Sequence, residues 1–319
     1  KTQLHCSNNK MNKIMSWMVF VLSVLILAGS LPSSFALNAG LNLRGTAEAE
    51  EQSERPVMHT FFTTLDHRED RSAMLHLWEV SWYEAGWEPR ILTLDDAKQH
   101  PDYDRVIKAL EGTLLDPHNK ICILRWLAMA GVGGWMSDYD TLPIRNFAKE
   151  AMPLPNYGIL TVHDRHVPDL VSGSPHEWLR MANNIVEAVL EEDVWIRQKI
   201  ESGQKTAGPV WSDILALAKW AQTAPDMYYT HHMVYQVFDS PHETLAEDTL
   251  WSQDFCRTKT PPYVKAVHVA PSSVDRAVLA KQLHPHHSTK KRADIAKAWL
   301  TKWRASCAHA VYYNSPESQ

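Results

Sequence analysis

Apolar positions along the chain switch between two periods, and the switch marks out an alternating α/β order. Val57–Thr63 is β-rich and mostly apolar, the pattern of a buried parallel strand. Ser72–Tyr83 then repeats at helical spacing, with Met74, Leu75, Trp78 and Trp82 on one side, and Arg90–Leu94 is extended again. Asp104–Leu110 predicts a short helix. Lys120–Ile144 follows as an apolar helix carrying Ile121, Leu124, Leu127 and Ala128, broken by Gly131, Gly133 and Gly134, and then a short extended segment ending in Asp138 and Asp140. Further on, the pattern predicts a strand at Tyr157–Val162, a loop over 164–174, and a helix over Ser174–Glu192 capped by Ser174 with Pro175 in its first turn. The stripe of that helix is Trp178, Met181, Ile185, Val189 and Leu190. A helix over Ile214–Gln222 capped by Ser212 or Asp213, strands within Val234–Phe238 and Val264–Val269, and a terminal helix over Thr289–Cys307 complete the series. The expected fold is α/β, a single mixed and mostly parallel sheet flanked by helices.

Before this domain, residues 11–36 have a basic start at Lys13, an apolar run from Ile14 to Leu31, and a small-x-small end at Ser34-Phe35-Ala36. That is the anatomy of a secretory signal peptide, and the run is also long enough for an uncleaved signal anchor. Met11 reads as the start, with residues 1–10 upstream; residues 37–55 lack apolar periodicity and read as a flexible stem; the folded domain is expected over 56–319. Both readings place the domain in the secretory pathway. The chain has 319 residues, is 45% hydrophobic and carries a net charge of −5, enough for one large core and without the basic stripe of a nucleic-acid binder. Cys256 and Cys307 are expected to pair in an oxidising lumen, and Cys122 to remain a free thiol. There is no Asn-x-Ser/Thr sequon, so no N-glycan is expected.

The chemistry concentrates at Asp138 and Asp140. Alternation at a strand end sends both carboxylates the same way, and two carboxylates aimed at one point call for a cation between them. Mg²⁺ or Mn²⁺ with oxygen ligands fits, sharing its remaining positions with substrate phosphates. Arg125, on the incoming helix, offers a forked donor to a phosphate or a sugar hydroxyl. Asp66 and Arg68 follow the first strand, at the end where open sheets bind ligands, and are candidates for nucleotide contacts or plain solvated surface. Asp95, after the second strand, either meets a ribose hydroxyl or caps the next helix. Among the thirteen tryptophans, Trp135 and Trp211 are candidate platforms for a sugar or a base, or buried anchors.

Taken together, Lys-x-x-x-x-Arg-Trp, Gly-Gly, an aromatic and Asp-x-Asp-Thr-x-Pro over Lys120–Pro143 resemble the sugar-binding signature of A-type-fold glycosyltransferases, the Golgi α-1,6-mannosyltransferase and clostridial glucosylating-toxin types. Thr206-Ala207-Gly208-Pro209-Val210-Trp211-Ser212 is similar to a second element of the same enzymes, in the right order. The resemblance implies a metal-dependent, retaining transfer of a hexose from a UDP- or GDP-sugar to a glycan or protein acceptor in the Golgi or secretory lumen. It implies His268 as third metal ligand, followed by Ser272 and Ser273, with Val274 where the family has tryptophan. The sequence departs from the family at Cys122, which stands where an aspartate holds a donor-sugar hydroxyl, and a thiol is a weak hydrogen-bond partner. The alternatives are a catalytically silent nucleotide-sugar-binding relative and a metal-dependent hydrolase built on His284, His286 and His287.

Overall fold

The helix before the aspartates shows how sequence becomes structure here. Asp116 accepts a hydrogen bond from the amide of Asn119, Pro117 occupies the first turn, and the helix runs through Pro117–Val132 with Ile123, Leu124, Trp126, Leu127 and Met129 buried. It stops at Gly133, whose φ is +68°. A Cβ there would lie 2.6 Å from Pro175 Cδ and 2.9 Å from Pro175 N, so both conformation and space demand glycine. Gly133→Ala is expected to destabilise the protein by about 1–3 kcal/mol, read as a lower denaturant midpoint at unchanged slope.

The computed structural model describes residues 55–63, 69–164, 167–204, 212–283 and 291–310. In chain order the elements are β1 (Val57–Phe61), α1 (Glu69–Glu84), β2 (Glu88–Leu92), α2 (Leu94–Lys98), α3 (Tyr103–Glu111), α4 (Pro117–Val132), β3 (Gly134–Ser137), β4 (Thr141–Pro143), β5 (Thr161–Val162), β6 (Leu170–Gly173), α5 (Pro175–Glu201), α6 (Asp213–Thr223), β7 (Tyr229–Thr230), β8 (Val234–Gln236), α7 (Gln253–Lys259), β9 (Ala266–His268), α8 (Pro271–Leu279) and α9 (Arg292–Cys307). They lie in one compact unit, Ser53–Gln319. Among the described residues no helix is long and apolar enough to cross a membrane. Residues 11–36, the predicted signal segment, and most of the predicted stem lie outside them.

The expected single sheet is instead two sheets among the described residues. A six-stranded sheet has the order β2-β1-β3-β6-β5-β7, and a three-stranded one the order β4-β9-β8. In the first, β1 pairs parallel with β2 and β3, β6 pairs antiparallel with β3 and β5, and β7 pairs parallel with β5. The division has a local cause. The chain leaves β3 at Ser137 through a turn closed by Thr141 N donating to Asp138 O at 2.9 Å, and β4 then pairs with β9 rather than with any strand of the first sheet. Pro143 is tolerated in β4 because β4 is an edge strand.

Alternation sorts the core into two layers. Met58, Trp135 and Leu170 face a cluster with Trp78, Trp82, Trp87 and Phe147. Their neighbours Met136 and Val171 face the other, with Trp126, Leu127, Trp178 and Ile185 from α4 and α5. Of the predicted α1 stripe, Met74, Trp78 and Trp82 are buried and Leu75 is half-buried; Ile295, Trp299 and Trp303 of α9 are buried, and the α5 stripe is buried except at Leu190, which is 36% exposed. Cys256 and Cys307 form the expected disulfide, tying α7 to α9.

Near this disulfide, Glu243 is fully buried and accepts hydrogen bonds from the Tyr235 hydroxyl at 2.6 Å and from Trp299 Nε1. Burial pushes its carboxyl from 4.5 up to about 7, against those hydrogen bonds. A raised folded-state pKa stabilises fully below the unfolded value and is lost as pH rises through the folded one. The group therefore makes stability fall between pH 4.5 and 7, by on the order of 3 kcal/mol. Glu243→Gln is expected to flatten that dependence and to unfold at higher denaturant than the parent at pH 8, which chemical denaturation at pH 5 and 8 checks.

Candidate functional site

The site lies where the carboxyl ends of the parallel strands β1 and β3 meet the start of the second sheet. A cleft of about 790 Å³ opens there, lined by Phe61, Phe62 and Thr63 at the end of β1, Asp138, Tyr139 and Asp140 after β3, and His268 at the end of β9. Carboxyl ends of parallel strands are where open α/β sheets bind ligands.

Each side chain is delivered by its element. Strand alternation places Ser137 toward Trp78, whose Nε1 donates to its hydroxyl at 2.7 Å, and so turns Asp138 toward the opposite layer, where α4 carries Arg125. Arg125 Nη1 donates to Asp138 Oδ1 at 2.6 Å. The same guanidinium donates through Nε at 3.0 Å and Nη2 at 2.6 Å to Asp213 Oδ2, which also accepts from Trp126 Nε1 at 2.9 Å. Arg125 is thus buried between two carboxylates and fixes Asp138. Asp140 reaches the same point from within the turn, not by strand alternation. Thr141 is directly opposite His268 in the β4–β9 ladder, and Val269 N donates to Asp140 O at 2.9 Å, which brings the histidine beside the second carboxylate.

Asp138, Asp140 and His268 each offer one ligand atom, all within 4.8 Å of one another. Bonds near 2.1 Å around an octahedral ion put ligands about 3–4.2 Å apart, so the donor set fits a divalent cation with little movement. His268 Nε2 lies 3.3 Å from Asp140 Oδ1, and its Nδ1 lies 3.1 Å from Asp169 Oδ2. Arg292, the first residue of α9, donates through Nη1 to Asp140 Oδ2 at 2.5 Å and through Nη2 to the Tyr139 hydroxyl at 3.1 Å.

Charge and burial oppose each other throughout. Burial lifts the Asp138 carboxyl above its ordinary value despite Arg125, with Asp140 adding to the rise. Burial acts the same way on Asp140, but His268 and Arg292 outweigh it and hold that carboxyl below its ordinary value. For His268 burial favours the neutral ring, yet Asp140 and Asp169 raise it well above the ordinary imidazole value. Burial pushes Asp169 up to about 7.

Of the other sequence candidates, Cys122 lines the cleft; it is a free, half-buried thiol that burial pushes up to about 12, and its Sγ lies 3.8 Å from His118 Nε2. Two residues sit elsewhere. Trp135 belongs to the core: it is 2% exposed, its ring stacks on His163 at 4.6 Å, and its Nε1 donates to Ala151 O. Asp95 is in the first turn of α2, where its exposed carboxylate takes the Lys98 ammonium at 2.8 Å, the surface role of a helix-start acid. Asp66, Arg68, Trp211, His284, His286 and His287 lie outside the described residues.

Sequence reasoning passed over Asp169 and Arg292 and gave Asp213 only a capping role. Their partners lie 23 to 153 residues away, and only Arg292, in the basic run Lys290-Lys291-Arg292 before a helix, left any local signal.

Residues 49–249 match the family model described as Domain of unknown function (DUF8765), and the chain belongs to that family. The matched segment contains Arg125, Asp138, Asp140, Asp169 and Asp213; His268 and Arg292 follow it. No curated protein matches the chain.

Proposed function

We propose that this member of the family is a metal-dependent glycosyltransferase of the A-type fold, moving a hexose from a UDP- or GDP-sugar to a glycan or protein acceptor with retention of configuration. The observation that carries the reading is the convergence of Asp138, Asp140 and His268 in a cleft at the carboxyl ends of β1 and β3. Their two carboxylates and one imidazole suit Mn²⁺ or Mg²⁺. Such an ion, when bound, supplies Lewis-acid stabilisation of the departing diphosphate.

The chain's own residues do the rest. Arg125 holds Asp138 in place and, through Asp213, is itself held by α6. Arg292 keeps Asp140 ionised and brings positive charge next to the carboxylate pair, where substrate phosphates would approach. Phe61 and Phe62 form an apolar wall at the end of β1, with Phe62 edge-on to Tyr139 at 5.7 Å, suited to a base or sugar face. Cys122 and His118 occupy the wall beside Arg125, the place where donor selectivity would be set. A secretory location, with residues 11–36 as signal peptide or anchor, agrees with the Cys256–Cys307 disulfide.

Calorimetric titration of the full chain with UDP and with GDP, in Mn²⁺ and then in chelator, tests the reading. One nucleotide is expected to bind in Mn²⁺ and to lose at least tenfold in affinity in chelator. Metal-independent binding, or none, contradicts it.

A further inference from the structure

We propose that Asp169 is the positioning residue of the metal centre, holding His268 so that Nε2 is the atom offered to the cation. The inference rests on the reading of Asp138, Asp140 and His268 as metal ligands and extends it to a residue that touches neither substrate nor ion.

Asp169 directly precedes β6 and acts through both its main chain and its side chain. Its carbonyl accepts the Asp138 amide at 2.9 Å, continuing the β3–β6 ladder one step past the Ser137–Leu170 pair and fixing the backbone of the first aspartate. Its carboxylate reaches the other sheet, with Oδ2 at 3.1 Å from His268 Nδ1 on β9 and accepting from Gln236 Nε2 on β8 at 3.0 Å. Gln236 is paired in register with His268 and also donates to Asp164 Oδ2 at 2.7 Å, so the side chain that steadies Asp169 is itself anchored. One residue thus links ligands contributed by two different sheets.

Two features separate this role from ordinary core packing. Asp169 is 0% exposed, neither its Oδ1 nor His268 Nδ1 has a hydrogen-bond partner among the described residues, and the 3.1 Å approach of Oδ2 to Nδ1 is a buried charge contact. A carboxylate buried with one oxygen unpaired costs the fold stability, so its contribution has to lie in what the other oxygen does. The second feature is the placement of the imidazole between two carboxylates. Asp140 Oδ1 lies 3.3 Å from Nε2 on the cleft side and Asp169 Oδ2 lies 3.1 Å from Nδ1 behind the ring. Asp169 thus holds the edge of the ring that faces away from the cation position and leaves Nε2 directed toward it. A carboxylate behind a ligating histidine serves this purpose in metal sites generally, and losing it typically weakens metal binding 10–100-fold.

The test uses the full chain and Asp169→Leu, with Asp169→Asn as a milder second variant. Mn²⁺ affinity is measured by electron paramagnetic resonance, the unfolding midpoint without metal by denaturation, and the His268 tautomer by ¹⁵N NMR with Mg²⁺. The proposal expects a 10–100-fold weaker Mn²⁺ affinity in Asp169→Leu and a smaller loss in Asp169→Asn. The metal-free midpoint should be unchanged or higher, and His268 should shift toward the Nε2–H tautomer. Unchanged affinity in both variants overturns it, as does an affinity loss that comes with a lower midpoint and an unmoved tautomer. A parent chain that binds no Mn²⁺ overturns the metal reading itself, a result distinct from failure of the Asp169 role alone.

Discussion

Asp140→Ala is expected to remove turnover, by about a hundred- to a thousandfold or more, and to destabilise the protein at the same time. The first effect follows from losing one carboxylate of the proposed metal set, where a bound ion would contribute several kcal/mol of charge stabilisation. The second follows from Arg292. Its guanidinium is 6% exposed and donates to Asp140 at 2.5 Å, so the substitution takes a carboxylate partner from a buried cation. Breaking a buried pair from one side costs about 3–5 kcal/mol. The Val269 carbonyl and the Tyr139 hydroxyl still accept from Arg292, which places the loss toward the lower end. A double variant, Asp140→Ala with Arg292→Met, separates the two effects: the denaturant midpoint should recover and turnover should not. Recovery of both would remove Asp140 from the chemistry.

Arg125→Met is expected to be the most destabilising single change at the site. Asp213 is 1% exposed and takes Arg125 Nε and Nη2 on the oxygen that Trp126 also reaches, while Asp138 takes Nη1. Methionine fills similar volume but leaves a fully buried carboxylate and a partly buried one without their counter-charge, again about 3–5 kcal/mol. Arg125→Lys keeps the charge and cannot form the fork to Asp213 while reaching Asp138, so it should restore less than half of that stability. Chemical denaturation of the two variants checks the ranking. Mn²⁺ affinity should fall in both, because Asp138 loses the contact that orients it. If Arg125→Met unfolded at the parent's midpoint, the clamp between α4, the β3–β4 turn and α6 would not be holding the site.

Local chemistry was readable in the sequence to the extent that it is local. The α4–Gly133–β3 passage is carried by apolar spacing, a cap and glycines, and the caps at Ser174 and Ser212 follow from their own neighbours. The strands that escaped notice are very short. Leu170–Gly173 reads as a loop because it is brief and enclosed by proline and glycine, yet it is the strand that joins β3 to β5. Thr141–Pro143 is invisible for the same reason, and with it the second sheet. Within the site, the aspartates and His268 carry local patterns. Asp169, Asp213 and Arg292 act only through partners far along the chain, where no periodicity links them. Trp135 fails as a platform because the aromatic before the aspartates lies on the core face of β3, a property of which layer covers the strand and not of the motif.

In the proposed function this cleft uses a divalent cation to transfer sugar from a nucleotide donor. Its most direct test is turnover by the purified chain against UDP- and GDP-sugars, first in Mn²⁺ and then in chelator, with Asp140→Ala in parallel. One nucleotide should be released in Mn²⁺, and that release should be lost in chelator and in the variant. Release that persists in chelator, or no release from any donor by a chain that binds Mn²⁺, would contradict it.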